Sequence, residues 1–189
     1  MKNPKTDRRS RLTRQMVKDA LLELLKKQPI SKITVKQLCE KADINRATFY
    51  NHFYDTRNVL EHIEEEYCKN IETEVINAIY SNNASEFILN MLTEMKSDKN
   101  LTQILKCENT KPGFIKKIKK MAQDLLVSHW AKRFKTYAKE KLEYIYSFMI
   151  TGSLSVINEW LKNNLKESPQ EIAEILQKIT IGINNYLHA

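Results

Sequence analysis

The residues best suited to recognition chemistry lie between positions 34 and 57. Arg46, Ala47 and Asn51 follow one another closely enough to share a short helix. A guanidinium can donate two parallel hydrogen bonds to a guanine edge, a carboxamide can both donate to and accept from adenine, and a methyl can touch thymine. Arg46 is therefore a candidate for reading guanine and Asn51 for reading adenine. Ala47 would meet a thymine methyl and let the backbone come close. Lys36 and Arg57 add positive charge on either side. This chemistry needs a short helix held at the surface, because an α-helix fits the major groove, where base edges are distinguishable.

The elements that would hold it are legible around those residues. Thr34 followed by Gln37 is a capping box, in which the hydroxyl accepts from the Gln37 N–H and the Gln37 side chain reaches back, so a helix starts near Val35. Val35, Leu38, Cys39 and Ala42 share one face of it at helical spacing. Asp43 stands where the chain must turn, and Asp tolerates the left-handed conformation. Ile44 returns to the core. Asn45 is a second N-cap, opening a helix anchored by Phe49 and Phe53. Two short helices joined by about three residues make a helix-turn-helix.

The stretch TVKQLCEKADINRATFYNHF resembles the DNA-binding signature of the TetR family of transcriptional regulators. The resemblance rests on Thr34 heading the second helix, the small Cys39, Ala42, the aliphatic Ile44, and the aromatic pair followed by His52-Phe53, within residues 10 to 62. It implies that Thr34, Thr48, Tyr50 and His52 hold phosphates, fixing register without reading sequence. Two positions depart from the family pattern: Asp43 replaces the usual Gly, and Thr56 replaces the usual Lys, with Arg57 one place later. The resemblance further implies a homodimer on a palindromic operator, and a small molecule that enters a second domain, shifts the fourth helix and changes head spacing. The run from Phe148 through Gly152 to Trp160, with the Glu-Ser-Pro turn after it, resembles the C-terminal half of the subgroup that includes dihydroxyacetone kinase regulators.

Charge supports the same assignment. The chain of 189 residues carries a net charge of +8. Residues 1–58 hold 14 Lys or Arg against 6 Asp or Glu, and residues 59–189 hold 17 of each, so the whole excess lies on the first third. That is the electrostatic footprint of a polyanion-binding module joined to a neutral one. Lys116, Lys117, Lys119 and Lys120 read as a solvated face. With three Gly, four Pro and abundant helix formers, the fold class is all-α. Cys39, Cys68 and Cys107 are scattered without metal-ligand spacing, so they read as reduced residues of a cytoplasmic protein, and no metal or cofactor is expected. No run of 18 apolar residues and no apolar stretch behind the basic N-terminus is present.

The expected organisation is a mobile basic arm over 1–9, a three-helix head over 10–54, and a helical ligand-binding and dimerisation domain over 55–189. The first helix is expected from about Ser10 to Lys27, ending at Gln28-Pro29. Asp55 caps a helix of some 25 residues, roughly 40 Å long and able to leave the head. Asn83 to Glu86 is another capping box, Pro112 suits a first helical turn, and a long helix is expected over about 114–137. The last two helices, about 142–165 and from Ser168-Pro169 onward, carry apolar residues on more than one face and suggest half of a four-helix dimer interface. Met149, Gly152, Val156, Trp160, Ile179 and Ile183 are its expected residues, with Gly152 admitting a closely approaching backbone. Phe87, Met91, Met95, Trp130, Phe134 and Phe148 are candidate linings of an effector pocket that would suit an apolar or amphipathic ligand.

Enzymatic chemistry lacks its parts. His52, His62, His129 and His188 are far apart, and no nucleophile elbow, phosphate loop or zinc spacing occurs. The competing reading is a helical interaction protein that binds nucleic acid nonspecifically or grips an acidic partner protein. A specificity ratio between a palindromic site and random DNA separates the two, since only base readout generates it.

Overall fold

A computed structural model describes residues 4–106 and 111–188, with the side chains of 4–7, 111 and 184 outside the description. Cys107 lies outside the described residues. Among them every regular element is helical: α1 Pro4–Leu25, a 3-10 turn Ile30–Lys32, α2 Val35–Ala42, α3 Arg46–Tyr50, α4 Thr56–Ser81, α5 Ala84–Ser97, α6 Lys99–Lys106, α7 Lys111–Arg133, α8 Lys139–Lys162 and α9 Pro169–His188. The all-α expectation holds, and no described helix is long and apolar enough to cross a membrane. The chain divides into two compact units, Met1–Tyr67 with Gln103–Lys111, and Cys68–Thr102 with Pro112–Ala189.

In the first unit α1 packs against α2, and α2 against α3. Its core takes Val17, Leu21 and Leu25 from α1, Leu38, Cys39 and Ala42 from α2, Phe49 from α3, Phe53 after it, and Val59, Leu60 and Ile63 from α4. The Phe49 and Phe53 rings meet at a 40° tilt with their centroids 5.8 Å apart. Lys18 is buried but keeps its charge paired with Glu66. The carbonyl of Leu25, left open at the end of α1, accepts from the Gln103 side-chain amide at 3.2 Å.

In the second unit α5 and α8 both pack on α9. Leu92 and Met95 are buried on α5, Ile157, Trp160 and Leu161 on α8, and Ile172, Ala173 and Leu176 on α9. A further cluster joins Ala122, Val127, Phe134, Leu142, Tyr146 and Leu187. Tyr146 donates its hydroxyl to the Lys119 carbonyl at 2.7 Å, and burial pushes its pKa up to about 12. Ser168 and Glu171 form the expected box at the head of α9, with Glu171 N–H donating to the Ser168 hydroxyl at 3.2 Å and Ser168 N–H to the Glu171 carboxylate at 2.7 Å.

Some boundaries move. α1 begins at Pro4, six residues ahead of the expected Ser10, so residues 4–9 are helical where an unstructured arm was expected; Pro in a first helical turn lacks only an N–H that would have no partner there. α7 stops at Arg133 rather than near Tyr137, because Phe134 turns into the core. At Asn83 the cap is half a box: Glu86 N–H donates to the Asn83 side chain, but the Glu86 carboxylate takes the Asn83 amide rather than its backbone.

Candidate nucleic-acid interface

The site is built by two caps and a turn. Gln37 N–H donates to the Thr34 hydroxyl at 3.2 Å, and Thr34 N–H donates to the Gln37 side chain at 2.9 Å. Asp43 ends α2 at φ 52°, the left-handed conformation that the family's usual Gly would adopt freely. Thr48 N–H then donates to the Asn45 carboxamide at 2.7 Å, starting α3 in a fixed direction. Phe49 is fully buried and seats the helix on the core. Arg46, Ala47, Tyr50 and Asn51 are left exposed. α3 is short, and Asn51 is its C-cap rather than an interior residue.

The expected phosphate-holding residues surround that face in different states of readiness. Tyr50 is 57% exposed, its ring edge-on to Phe49 at 5.4 Å. Thr48 is half-buried. The Thr34 hydroxyl donates to the Gln37 side chain at 3.1 Å, so it must turn away from its cap partner to donate elsewhere. Lys36 and Arg57 are exposed and lie 3.8 Å from Glu40 and 3.9 Å from Glu61, surface pairs of little energetic weight. His52 is half-buried, and burial, followed by the nearby Arg14 charge, holds its pKa below the ordinary imidazole range. Two residues join this region that sequence reasoning missed. Tyr54 is 85% exposed immediately beyond His52-Phe53, and Arg14 reaches His52 electrostatically from α1. Only the run of aromatic residues 49, 50, 53 and 54 hinted at the first, and nothing local marked the second.

In the second unit the residues of the two expected surfaces differ widely in exposure. Trp160, expected to face a partner copy, is 1% exposed and donates its indole N–H to the Glu167 carbonyl at 3.1 Å. It is a core residue because its large ring fills the space beside the α8–α9 turn. Met149 and Ile183 pack partly on their own unit's core, and Val156 is half-buried. Gly152 is exposed and a Cβ there would meet nothing within 4 Å, so among the described residues no other segment's backbone approaches it. Of the expected pocket linings, Met95 and Phe134 are buried in the core, Phe87, Met91 and Trp130 are half-buried, and Phe148 is 73% exposed and points away from any interior. The exposed row on α8 is Tyr144, Phe148, Gly152 and Ser155, and that on α9 is Ile175, Ile179, Gly182 and Tyr186, so Gly152 and Ile179 among the expected interface residues stay exposed. Both rows keep three- and four-residue spacing, so each marks one continuous face.

Two family models match the chain: residues 18–63 match the one described as bacterial regulatory proteins, tetR family, and residues 82–182, more than half of the chain, match the one described as transcriptional regulator C-terminal region. The chain belongs to the TetR family of transcriptional regulators. A TetR-type head and a helical C-terminal region are thus established, and the family's members are regulators rather than enzymes. The chain is 34% identical over 71 residues to an uncharacterized HTH-type transcriptional regulator, YxbF, of Bacillus subtilis strain 168; the match covers 37% of this chain and only 19% of that relative. Similar solved structures span nearly the whole chain. The fatty acid degradation regulator FadR from Bacillus halodurans has a TM-score of 0.69 at 14% identity, covering 96% of this chain and 97% of that one. A TetR regulator from Streptococcus agalactiae has a TM-score of 0.66 at 17% identity, covering 92% and 96%. The dihydroxyacetone kinase operon activator DhaS has a TM-score of 0.59 at 14% identity, covering 93% and 95%, which places the C-terminal resemblance at the level of fold.

Proposed function

We propose that this TetR-family regulator binds an inverted-repeat operator as a homodimer and represses by occupying it. The observation that carries the reading is the exposed face of α3, where Arg46, Ala47, Tyr50 and Asn51 stand clear of the core on a helix oriented by Asn45 and Phe49. Arg46 and Asn51 read base edges and Ala47 meets a thymine methyl. Thr34, Lys36, Thr48, Tyr50, His52 and Arg57 fix the backbone.

One head covers little groove, so affinity requires two, about 34–36 Å apart or a multiple of it. The exposed apolar rows of α8 and α9 supply the twofold contact: Tyr144 and Phe148 on one helix, Ile175, Ile179 and Tyr186 on the other, with Gly152 and Gly182 letting the partner's helices come close. Such a contiguous apolar surface is rare on a monomer. The half-buried Phe87, Met91 and Trp130 are the side chains that would meet a small apolar or amphipathic effector. An effector switches the protein only through different affinities for two head spacings.

The test is selection from random duplex DNA on the purified protein at physiological salt. Enrichment of an inverted repeat supports the reading and supplies the operator for reporter and effector assays. Retention of DNA without enrichment would replace it with nonspecific binding, and a monomer by sedimentation would remove the α8–α9 interface.

A further inference from the structure

Two polar ties join α1 to segments from far along the chain, and both fall where the chain changes units. The first unit gives up the chain after Tyr67 and takes it back at Gln103. One residue before the first of these points, Glu66 of α4 pairs with Lys18 of α1. At the second, the Gln103 side-chain amide of α6 donates to the Leu25 carbonyl at the end of α1, 3.2 Å away. Each passage is thus pinned to the same helix, inside the first unit.

Apolar packing does not fix α4 at that point. Val59, Leu60 and Ile63 are buried on its first turns, but no apolar residue from 64 to 74 is, although the helix runs unbroken to Ser81. Lys18 is buried, and its ammonium meets the well-exposed carboxylate of Glu66. Such a pair is a poor source of stability, because apolar residues of similar size commonly do as well in its place. Register is what it can supply. A buried ammonium left without its carboxylate is costly, so α4 is held where Glu66 reaches Lys18. At the other tie, the backbone N–H groups of Lys27 and Gln28 both donate to the Leu24 carbonyl, whereas the Leu25 carbonyl takes its donor from α6. Ile104 and Leu105 beside Gln103 are buried, so the amide is delivered by a seated helix.

We infer that Lys18 and Gln103 are positioning residues for operator recognition: without touching DNA, they hold α4 and α6 on the head so that a dimer accepts one half-site spacing and rejects its neighbours. The inference rests on the proposed dimeric DNA binding and adds the residues that make spacing selective. Each base pair added between half-sites moves one of them by about 3.4 Å and turns it by roughly a tenth of a turn. A head whose connections yield can follow that displacement. A head pinned at both connections cannot.

The experiment compares the full-length wild type with K18M/E66Q and Q103M. The DNA is the operator that the wild type enriches, the same operator with one base pair added or removed between the half-sites, and a single half-site. Met keeps the approximate length of Lys and Gln without their donors, and removing both charges of the ion pair leaves neither one unpaired. Circular dichroism melting checks folding. In each variant the preference for the selected spacing over its neighbours should fall by about fivefold or more, the lower end of ordinary coupling strengths. Affinity for the single half-site, and the bases enriched within it, should stay as in the wild type. An unchanged spacing preference in either folded variant would overturn the inference. So would an equal loss of affinity for every DNA, the half-site included, because that marks a merely structural role. Should K18M/E66Q fail to fold, Q103M decides. If the wild type enriches no inverted repeat, the proposed function itself fails, an outcome distinct from a selected operator whose spacing the variants read as the wild type does.

Discussion

The two units each expose one helical face that their own cores leave uncovered, and the faces are of opposite character. Around α3 the exposed groups are a guanidinium, a carboxamide, a phenol and a methyl, each able to meet a base or phosphate. Along α8 and α9 they are Tyr144, Phe148, Ile175, Ile179 and Tyr186, groups that gain by leaving water together. The first face is held by polar caps above one buried aromatic pair, the second by two long helices packed over an apolar core. Direction is what a base-reading helix needs, and caps supply direction. Area is what a self-association surface needs, and long helices supply area.

The sharpest break in this comparison is to remove the core beneath one face only. Phe49→Ala should destabilise the head by about 3–5 kcal/mol, the usual range for truncating a buried Phe. Hydrogen exchange should then show reduced protection over residues 17–63 while 140–188 keep theirs; equal reduction in both would mean that the units do not hold their stability separately. A charge in the apolar face is the counterpart. Phe148→Asp with Ile179→Asp should give a folded monomer by sedimentation and weaken operator binding by at least an order of magnitude, because half-sites are then bound one at a time. An intact dimer would remove the face from its assigned role.

Finer changes separate the parts of the head. Arg46→Ala should relax preference at one base position by about 1–3 kcal/mol, whereas Tyr50→Ala should weaken binding to all sequences alike. Equal loss of specificity from both would erase the division between base and phosphate recognition. Asn45→Ala should cost about 1 kcal/mol of head stability by urea denaturation, since Thr48 N–H loses its acceptor.

The smallest effect is that of pH. His52 has a depressed pKa in the folded chain, so the folded state binds fewer protons than the unfolded one through the imidazole range. Its contribution to stability is present above the ordinary imidazole pKa and is lost as pH falls towards the folded value. DNA binding has the opposite sign, because a phosphate favours the imidazolium. NMR titration should place His52 below the usual imidazole range in the free protein and higher on the operator; a lower value on DNA would place the ring away from phosphate.

Local features were legible where their cause was local. The Thr34-Gln37 and Ser168-Glu171 boxes, the left-handed Asp43 and the Asn45 cap each depend on residues within a single turn, and all are present. The division of charge between the first third and the rest needed only counting. Side-chain destinations in the second unit were a different matter. Trp160 and Phe148 lie on one helix with similar neighbours, yet one is 1% exposed and the other 73%. A helix with apolar residues on several sides does not say which side meets its own chain.

The sequence by itself therefore determined the helical class, the helix-turn-helix with its caps and the basic head, because capping, turn conformation and charge are short-range properties. Only the tertiary structure decided which apolar residues of α8 and α9 fill the core and which stay exposed, and that α1 continues as a helix ahead of its buried half. Burial depends on which helices pack together, and in this chain the packing of α5 on α9 joins segments far apart in sequence.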